Sequence, residues 1–277
     1  MAFGDGGGYK LGMPAGRFFA PGLMKDDVVL VTGGGTGIGK ATASAFVECG
    51  ANVVIASRRQ EHLDEGATDI AGATGVTPLT KICDIRKPAQ VEALVEFIVA
   101  RYGRIDVLVN NAGGQFPQHA ELYSINGWQA VIDTNLNGTW SVTQAVGKTM
   151  IAAARGRIVN VIANHYRGIP GGAHTSAARA AVANLTKTLA VECGRHGIRI
   201  NAVAPGPIGA SGFTRVYEGS VVDHARGLPL GRLGTVEEVA AAIVFLASPA
   251  SSWTTGTTLD VTGGQHLSGD TWVVDPK

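Results

Sequence analysis

The sequence predicts an α/β fold, a doubly wound parallel sheet of about seven strands with helices on both faces. Three observations carry that expectation. Short apolar runs alternate with longer helix-patterned stretches along residues 26–264. A glycine-rich turn, TGGGTGIG at 32–39, joins the first run to the first helix. The chain has 277 residues, 45% apolar and 16% charged, enough for one full core, and shows no repeat or second compositional unit.

Residues 1–25 include Gly6, Gly7, Gly8, Gly12, Gly16 and Gly22. They have too little apolar periodicity for an element and are expected to form a flexible surface extension, leaving one domain over 26–277. DDVVLVTGGG from Asp26 supplies the first buried strand, IGKATASAFVECG a helix stopped by Gly50, and ANVVIASRR the second strand. The alternation continues with strand PLTKICD, helix PAQVEALVEFIVARYG and strand RIDVLVNNAGG. A long helix over about 127–154, strand GRIVNVIA, a second long helix over about 175–195 and strand IRINAVAPG follow. After an irregular stretch at 207–233, expected to be a lid, helix TVEEVAAAIVFLAS and strand GTTLDVTGG close the pattern.

A net charge of +1, with no run of five like charges, offers no field for nucleic acid or an anionic membrane. The longest apolar run, Val239 to Ala247, is too short to span a bilayer. Cys49, Cys83 and Cys193 have neither disulfide-framework nor metal-ligand spacing and are expected to be buried thiols in a reducing compartment. The expectation is a soluble, cytoplasmic protein with no metal.

The turn at 32–39 has a strand before it and a helix after it, the context in which such glycines cradle a dinucleotide pyrophosphate. Gly33 serves the tight turn, Gly37 the approach of backbone to phosphate, and Gly39 the packing of helix on strand. Thr36 and Ile38 complete the loop. Eighteen residues beyond Gly39 the second strand ends in Ser57, Arg58 and Arg59, with no carboxylate for a ribose 2′-hydroxyl. A guanidinium there suits a 2′-phosphate, so NADP(H) is expected over NAD(H). The alternative is that Arg58 and Arg59 only cover the start of the next helix.

These residues, with Asp84 after the third strand, NNAGG at 110–114, Asn135 in DTNLNGTW and NAVAPGPI at 201–208, resemble the short-chain dehydrogenase/reductases over about residues 27–264. The resemblance implies a single-domain Rossmann fold. It implies that Asp84 and Ile85 contact the adenine, Asn111, Ala112 and Gly113 the adenosine side, and Pro205, Gly206 and Ile208 the nicotinamide. It also implies a homotetramer built from the two long helices and the last strand.

The typical member of that family uses a Ser, a Tyr and a Lys. Here those places hold Ala163, Thr175 and Arg179. GGQF at 113–116, HTSAARAAVANLTKTLAVE at 174–192 and FFAPGL at 18–23 resemble the peroxisomal trans-2-enoyl-CoA reductase branch, with the 2,4-dienoyl-CoA reductases next. The resemblance implies an NADPH-dependent reduction of the conjugated C=C of a fatty enoyl-CoA thioester. That reaction needs an oxyanion to be stabilised, which hydrogen-bond donors accomplish, whereas a ketone needs an acid for its alkoxide.

The catalytic candidates are Tyr166, Thr175, Arg179 and Asn135. Arg179, one turn beyond Thr175, is expected to hold the nicotinamide ribose or to be a salt-bridged surface residue. Thr175 is either a donor to the thioester oxygen or a helix cap. Tyr166, with Asn164 and His165 beyond the fifth strand, is either the replacement donor or a packing residue. His174 is a candidate proton relay, and Asn135 binds water or kinks its helix. Arg215, Arg226 and Arg232 in the lid are candidates for the CoA phosphates, or solvated charges. Two other functions stay open: a catalytically silent NADP(H)-binding protein, and a carbonyl reductase with its tyrosine relocated to Tyr166.

Overall fold

The structure, a computed structural model, describes residues 15–166, 168–209 and 227–268. Its strands are β1 (Val28–Thr32), β2 (Asn52–Ser57), β3 (Leu79–Ile82), β4 (Val107–Asn110), β5 (Gly156–Val161), β6 (Ile198–Pro205) and β7 (Thr258–Val261). Its helices are α1 (Gly37–Glu48), α2 (Gln60–Thr74), α3 (Pro88–Tyr102), α4 (Ile125–Ile132), α5 (Gly138–Ala152), α6 (Ala173–Gly194), α7 (Val236–Ala247) and a last turn, α8 (Gln265–Ser268). The seven strands pair in parallel in the order β3-β2-β1-β4-β5-β6-β7. The order reverses between β1 and β4, so a crevice opens there at the strands' carboxyl ends.

Alternate residues of β1 feed opposite faces. Val29 and Val31 join Phe46, Leu63 and Ile243 in the layer of α1, α2 and α7. Val28 and Leu30 join Leu94, Ile98 and Met150 in the layer of α3 and α5. A strand buried on both faces reads as a continuous apolar run, as VVLV does. Burial pushes the Cys49 and Cys83 thiols up to about 11, so both stay protonated and inert.

Two elements differ from the sequence expectation. The extension does not reach residue 25: Ala15–Phe18 form a 3-10 turn, Ala15 and Met24 are buried in the first core layer, and Met24 donates its N–H to the Cys49 carbonyl at 3.0 Å. Residues 1–14 lie outside the described residues. The helix expected over about 127–154 is three segments, because a π-helical turn at Asp133–Asn137 separates α4 from α5. Of the lid at 207–233, residues 210–226, with Arg215 and Arg226, lie outside the described residues.

At the amino ends of the central strands five charges form a clasp. Asp27 and the buried Asp106 face Arg104, Arg155 and Arg157 at 2.7–3.2 Å. Asp106 also accepts the Val28 N–H at 2.9 Å, tying β1 to β4 before either strand begins.

Candidate active site

The glycine-rich turn is locked by Asn111, immediately after β4. Its side-chain amide donates to the carbonyls of Thr32 at 3.0 Å and Gly33 at 3.2 Å. The Thr32 hydroxyl in turn accepts the N–H groups of Asn111 and Ala112, both at 3.1 Å. Gly33 sits at φ +65, and a Cβ on Gly39 would lie 2.2 Å from the Gly33 carbonyl oxygen, so no other residue fits at Gly39. Thr36 is exposed at the N-cap of α1, its hydroxyl unused for capping, while Gly37 borders open space and Ile38 packs partly into the core. Open space beside free helix N–H groups is what a pyrophosphate requires.

Ser57 ends β2, and Arg58 and Arg59 beyond it are exposed. Arg59 occupies the N-cap position of α2 without a side-chain cap bond. Arg58 lies close enough to Asp84 to favour its ionised form. Asp84 is engaged mainly by Arg86, whose guanidinium donates to both carboxylate oxygens at 2.6–3.2 Å and holds the carboxyl below its ordinary range. The Ile85 side chain is buried against the first residue of α5, Gly138.

The structure brings Asn135, Thr175, Arg179 and Gly113 together. Asn135, wholly buried in the π-helical turn, accepts the Gly114 N–H at 2.9 Å and donates to the Gly114 carbonyl at 3.0 Å and to the Thr175 hydroxyl oxygen at 3.2 Å. The π turn is what aims this side chain inward, since the extra residue shifts the helical face. Because the Thr175 oxygen accepts from Asn135, its own proton is free to donate elsewhere. Thr175 is not a helix cap: α6 begins at Ala173, with Gly172 in the cap position.

Arg179 is not the salt-bridged surface residue of the alternative reading. It is 9% exposed, makes no ion pair among the described residues, and donates to the Val161 carbonyl at 3.1 Å. Burial without a carboxylate lowers its pKa to about 10, still a cation at neutral pH. Its Nη2 lies 2.2 Å from where a Cβ on Gly113 would stand.

Tyr166 is not part of this group. Its ring is 54% exposed and stacked on His165 at 4.6 Å, and burial together with Asp260 raises its pKa. His174 is fully buried, accepts the Thr175 N–H on Nδ1 at 2.7 Å, and is held below its ordinary range by burial. Burial therefore favours its neutral form. Pro205, Gly206 and Ile208 lie at and beyond the carboxyl end of β6, with Ile208 buried. Arg232 is ion-paired with Glu238 at 2.6 Å. Sequence reasoning missed Thr32 as the brace of the glycine turn, and missed Phe116 and Tyr123, whose rings meet His174 at 4.6 and 4.7 Å. The strand-end position of Thr32 was a readable signal; the ring contacts have none, since loop geometry alone creates them.

Among the described residues no group of His, Cys, Asp or Glu is placed to hold a metal, and no helix is long and apolar enough to cross a membrane. A family described as enoyl-(acyl carrier protein) reductase matches residues 33–266. The peroxisomal 2,4-dienoyl-CoA reductase [(3E)-enoyl-CoA-producing] of Pongo abelii is 38% identical over 92% of this chain and 89% of its own. A 3-oxoacyl-[acyl-carrier-protein] reductase of Chlamydia muridarum (strain MoPn / Nigg) is 40% identical over 87% of this chain and 98% of its own. The structure of a short chain dehydrogenase from Bacillus anthracis str. 'Ames Ancestor' superposes with a TM-score of 0.83 at 43% identity, covering 88% of this chain and 98% of that one.

Proposed function

The chain belongs to the short-chain dehydrogenase/reductase family of nicotinamide-dependent oxidoreductases, and on that premise we propose that it is an NADPH-dependent reductase of the conjugated C=C bond of a fatty trans-2-enoyl-CoA or 2,4-dienoyl-CoA thioester. One observation carries the reading. Among the described residues, the group around Asn135 contains a threonine hydroxyl, an amide and a buried guanidinium, with neither a phenol nor an ammonium bonded to them. Such a group holds an oxyanion well and protonates an alkoxide poorly. The named 2,4-dienoyl-CoA reductase relative supports the same reading.

The cofactor loop fits a dinucleotide by its own geometry: free N–H groups at the start of α1, open space at Gly37, and a turn that Asn111 holds rigid. Arg58 and Arg59, exposed at the end of β2, are the partners for a 2′-phosphate. When bound, the nicotinamide would supply a hydride, to Cβ of a 2-enoyl thioester or to Cδ of a 2,4-dienoyl one on the way to a 3-enoyl product, with the proton for Cα coming from a side chain or water. Arg179, a cation with unused donors, holds polar oxygens beside Gly113. Thr175 donates to the thioester oxygen as charge develops there, and Asn135 fixes both that hydroxyl and the backbone of Gly114. The protein acts as a homotetramer in the cytoplasm, without nucleic-acid or membrane partners.

The test is loss of NADPH absorbance on adding crotonyl-CoA, a medium-chain 2-enoyl-CoA or a 2,4-dienoyl-CoA. A second reading, carbonyl reduction, is favoured by the 3-oxoacyl reductase relative. Turnover of a 3-oxoacyl thioester with none of the enoyl series would establish it. Binding of NADPH with no turnover in either series would establish the silent form.

A further inference from the structure

We infer that Phe116, Tyr123 and Trp128 form the acyl-chain subsite, an aromatic wall that selects thioesters of medium and long chains over short ones; this rests on the enoyl-thioester reading above. The wall is continuous with the polar group. Gly114 is bonded to Asn135, and two residues later the Phe116 ring stands edge-on to His174 with centroids 4.6 Å apart. His174 is the immediate neighbour of Thr175 and binds its N–H. Phe116 is followed by Tyr123 at 6.0 Å and Tyr123 by Trp128 at 6.3 Å.

The rings run from the interior to the surface, with Tyr123 half-buried between Phe116 and Trp128, and exposed apolar residues flank Tyr123 in sequence. His174 is fully buried, Phe116 and Trp128 are each 38% exposed, Leu122 is 59% and Ile125 is 85%. Ile125 and Trp128, three residues apart on α4, share one face of the helix. An apolar track that starts at the donor group and ends in solvent matches a substrate with a polar head and a long hydrocarbon tail.

The wall is also built rather than incidental. The Tyr123 hydroxyl donates to the Gly171 carbonyl at 3.0 Å, and that carbonyl also accepts the Gln118 N–H at 2.9 Å, so the loops before α4 and α6 are pinned to each other. Ser124 caps α4 by accepting the Gly127 N–H at 3.0 Å. Gly127 leaves room for the Phe116 ring, since a Cβ there would meet Phe116 Cζ at 3.0 Å.

Each methylene laid on the wall strengthens binding by about fourfold. In the parent with NADPH, kcat/KM for trans-2-enoyl-CoAs of four, eight and twelve carbons is expected to climb steeply with length. Trp128→Ala should leave the four-carbon substrate within about twofold and cost the twelve-carbon one about tenfold or more, with Trp128→Phe recovering most of the loss. Equal loss at all three lengths, or an unchanged length profile, overturns the subsite. If the parent reduces no enoyl thioester, the functional reading fails separately. Calorimetric titration of the NADP-loaded protein with butyryl-CoA and lauroyl-CoA then decides the subsite: preference for lauroyl-CoA in the parent that Trp128→Ala abolishes supports it, and equal affinities in both proteins overturn it.

Discussion

The guanidinium of Arg179 lies against the backbone of Gly113, where a Cβ would come within 2.2 Å of Nη2. The two positions are therefore coupled. Gly113→Ala is expected to force the guanidinium off the Val161 carbonyl and to weaken NADPH binding about tenfold or more, measured by nucleotide fluorescence. Adding Arg179→Lys, a slimmer head, should recover part of the loss. Additive losses in the double variant would show that the two positions act independently.

Arg179 should trade stability for binding. Its pKa falls to about 10 on burial, so the folded state disfavours its charge. The sign follows from proton counts: between about pH 10 and the higher value of the unfolded chain the unfolded state holds the proton more tightly, so the penalty is complete below about pH 10 and is relieved as pH rises above it. Arg179→Met should keep or raise the melting temperature at pH 7.5 while cutting NADPH affinity at least about tenfold. A large drop in melting temperature would instead mark Arg179 as a structural element.

His174 sets an acid limit. Burial holds its folded pKa below the unfolded value of about 6.5, so its contribution to stability is complete above that pH and is lost as pH falls below it. The melting temperature should fall as pH drops from about 6.5. His174→Asn, whose amide oxygen replaces Nδ1 as acceptor for the Thr175 N–H, should flatten that slope. A slope equal to the parent's would assign it to other groups.

Thr175 and Tyr166 are expected to separate cleanly. Thr175→Val keeps the shape but strips the oxygen that Asn135 reaches, and turnover of an enoyl thioester should drop by about one to three orders of magnitude. Tyr166→Phe, altering a half-exposed ring stacked on His165, should stay within about twofold of the parent. The reverse ranking of kcat values would return the donor role to Tyr166.

Arg58→Asp should move preference from NADPH toward NADH, because it removes the partner for a 2′-phosphate and supplies an acceptor for a hydroxyl. Equal NADPH affinity in the two proteins would exclude Arg58 as the discriminator.

The sheet and the cofactor loop were legible because burial on both faces writes itself into continuous apolar runs such as VVLV, and because Gly33 and Gly39 meet backbone constraints that other residues cannot. The π turn was not legible. DTNLN is compatible with an unbroken helix, and one extra residue in a turn leaves no period of its own. Met24 was missed for a related reason: its burial is a matter of tertiary packing in the first core layer, and a glycine-rich neighbourhood without apolar period hides it. The surroundings of Tyr166 were not legible, because counting residues from a strand end gives distance along the chain but not the direction a loop takes. Phe116 and Tyr123 lie in the connection between β4 and α4 and His174 in the first turn of α6, and the Gly171 carbonyl, accepting from both Gln118 and Tyr123, helps hold that connection against the start of α6.

The clasp of Asp27 and Asp106 with Arg104, Arg155 and Arg157 gives the molecule a division of labour along its strands. Rigidity is anchored at the amino ends, while every residue assigned to chemistry sits at or beyond the carboxyl ends. Substitutions at the reactive end can therefore be tolerated one at a time while the opposite end preserves the frame. That separation offers a physical route by which positions such as Ala163, Thr175 and Arg179 can vary in chemistry while the frame is kept.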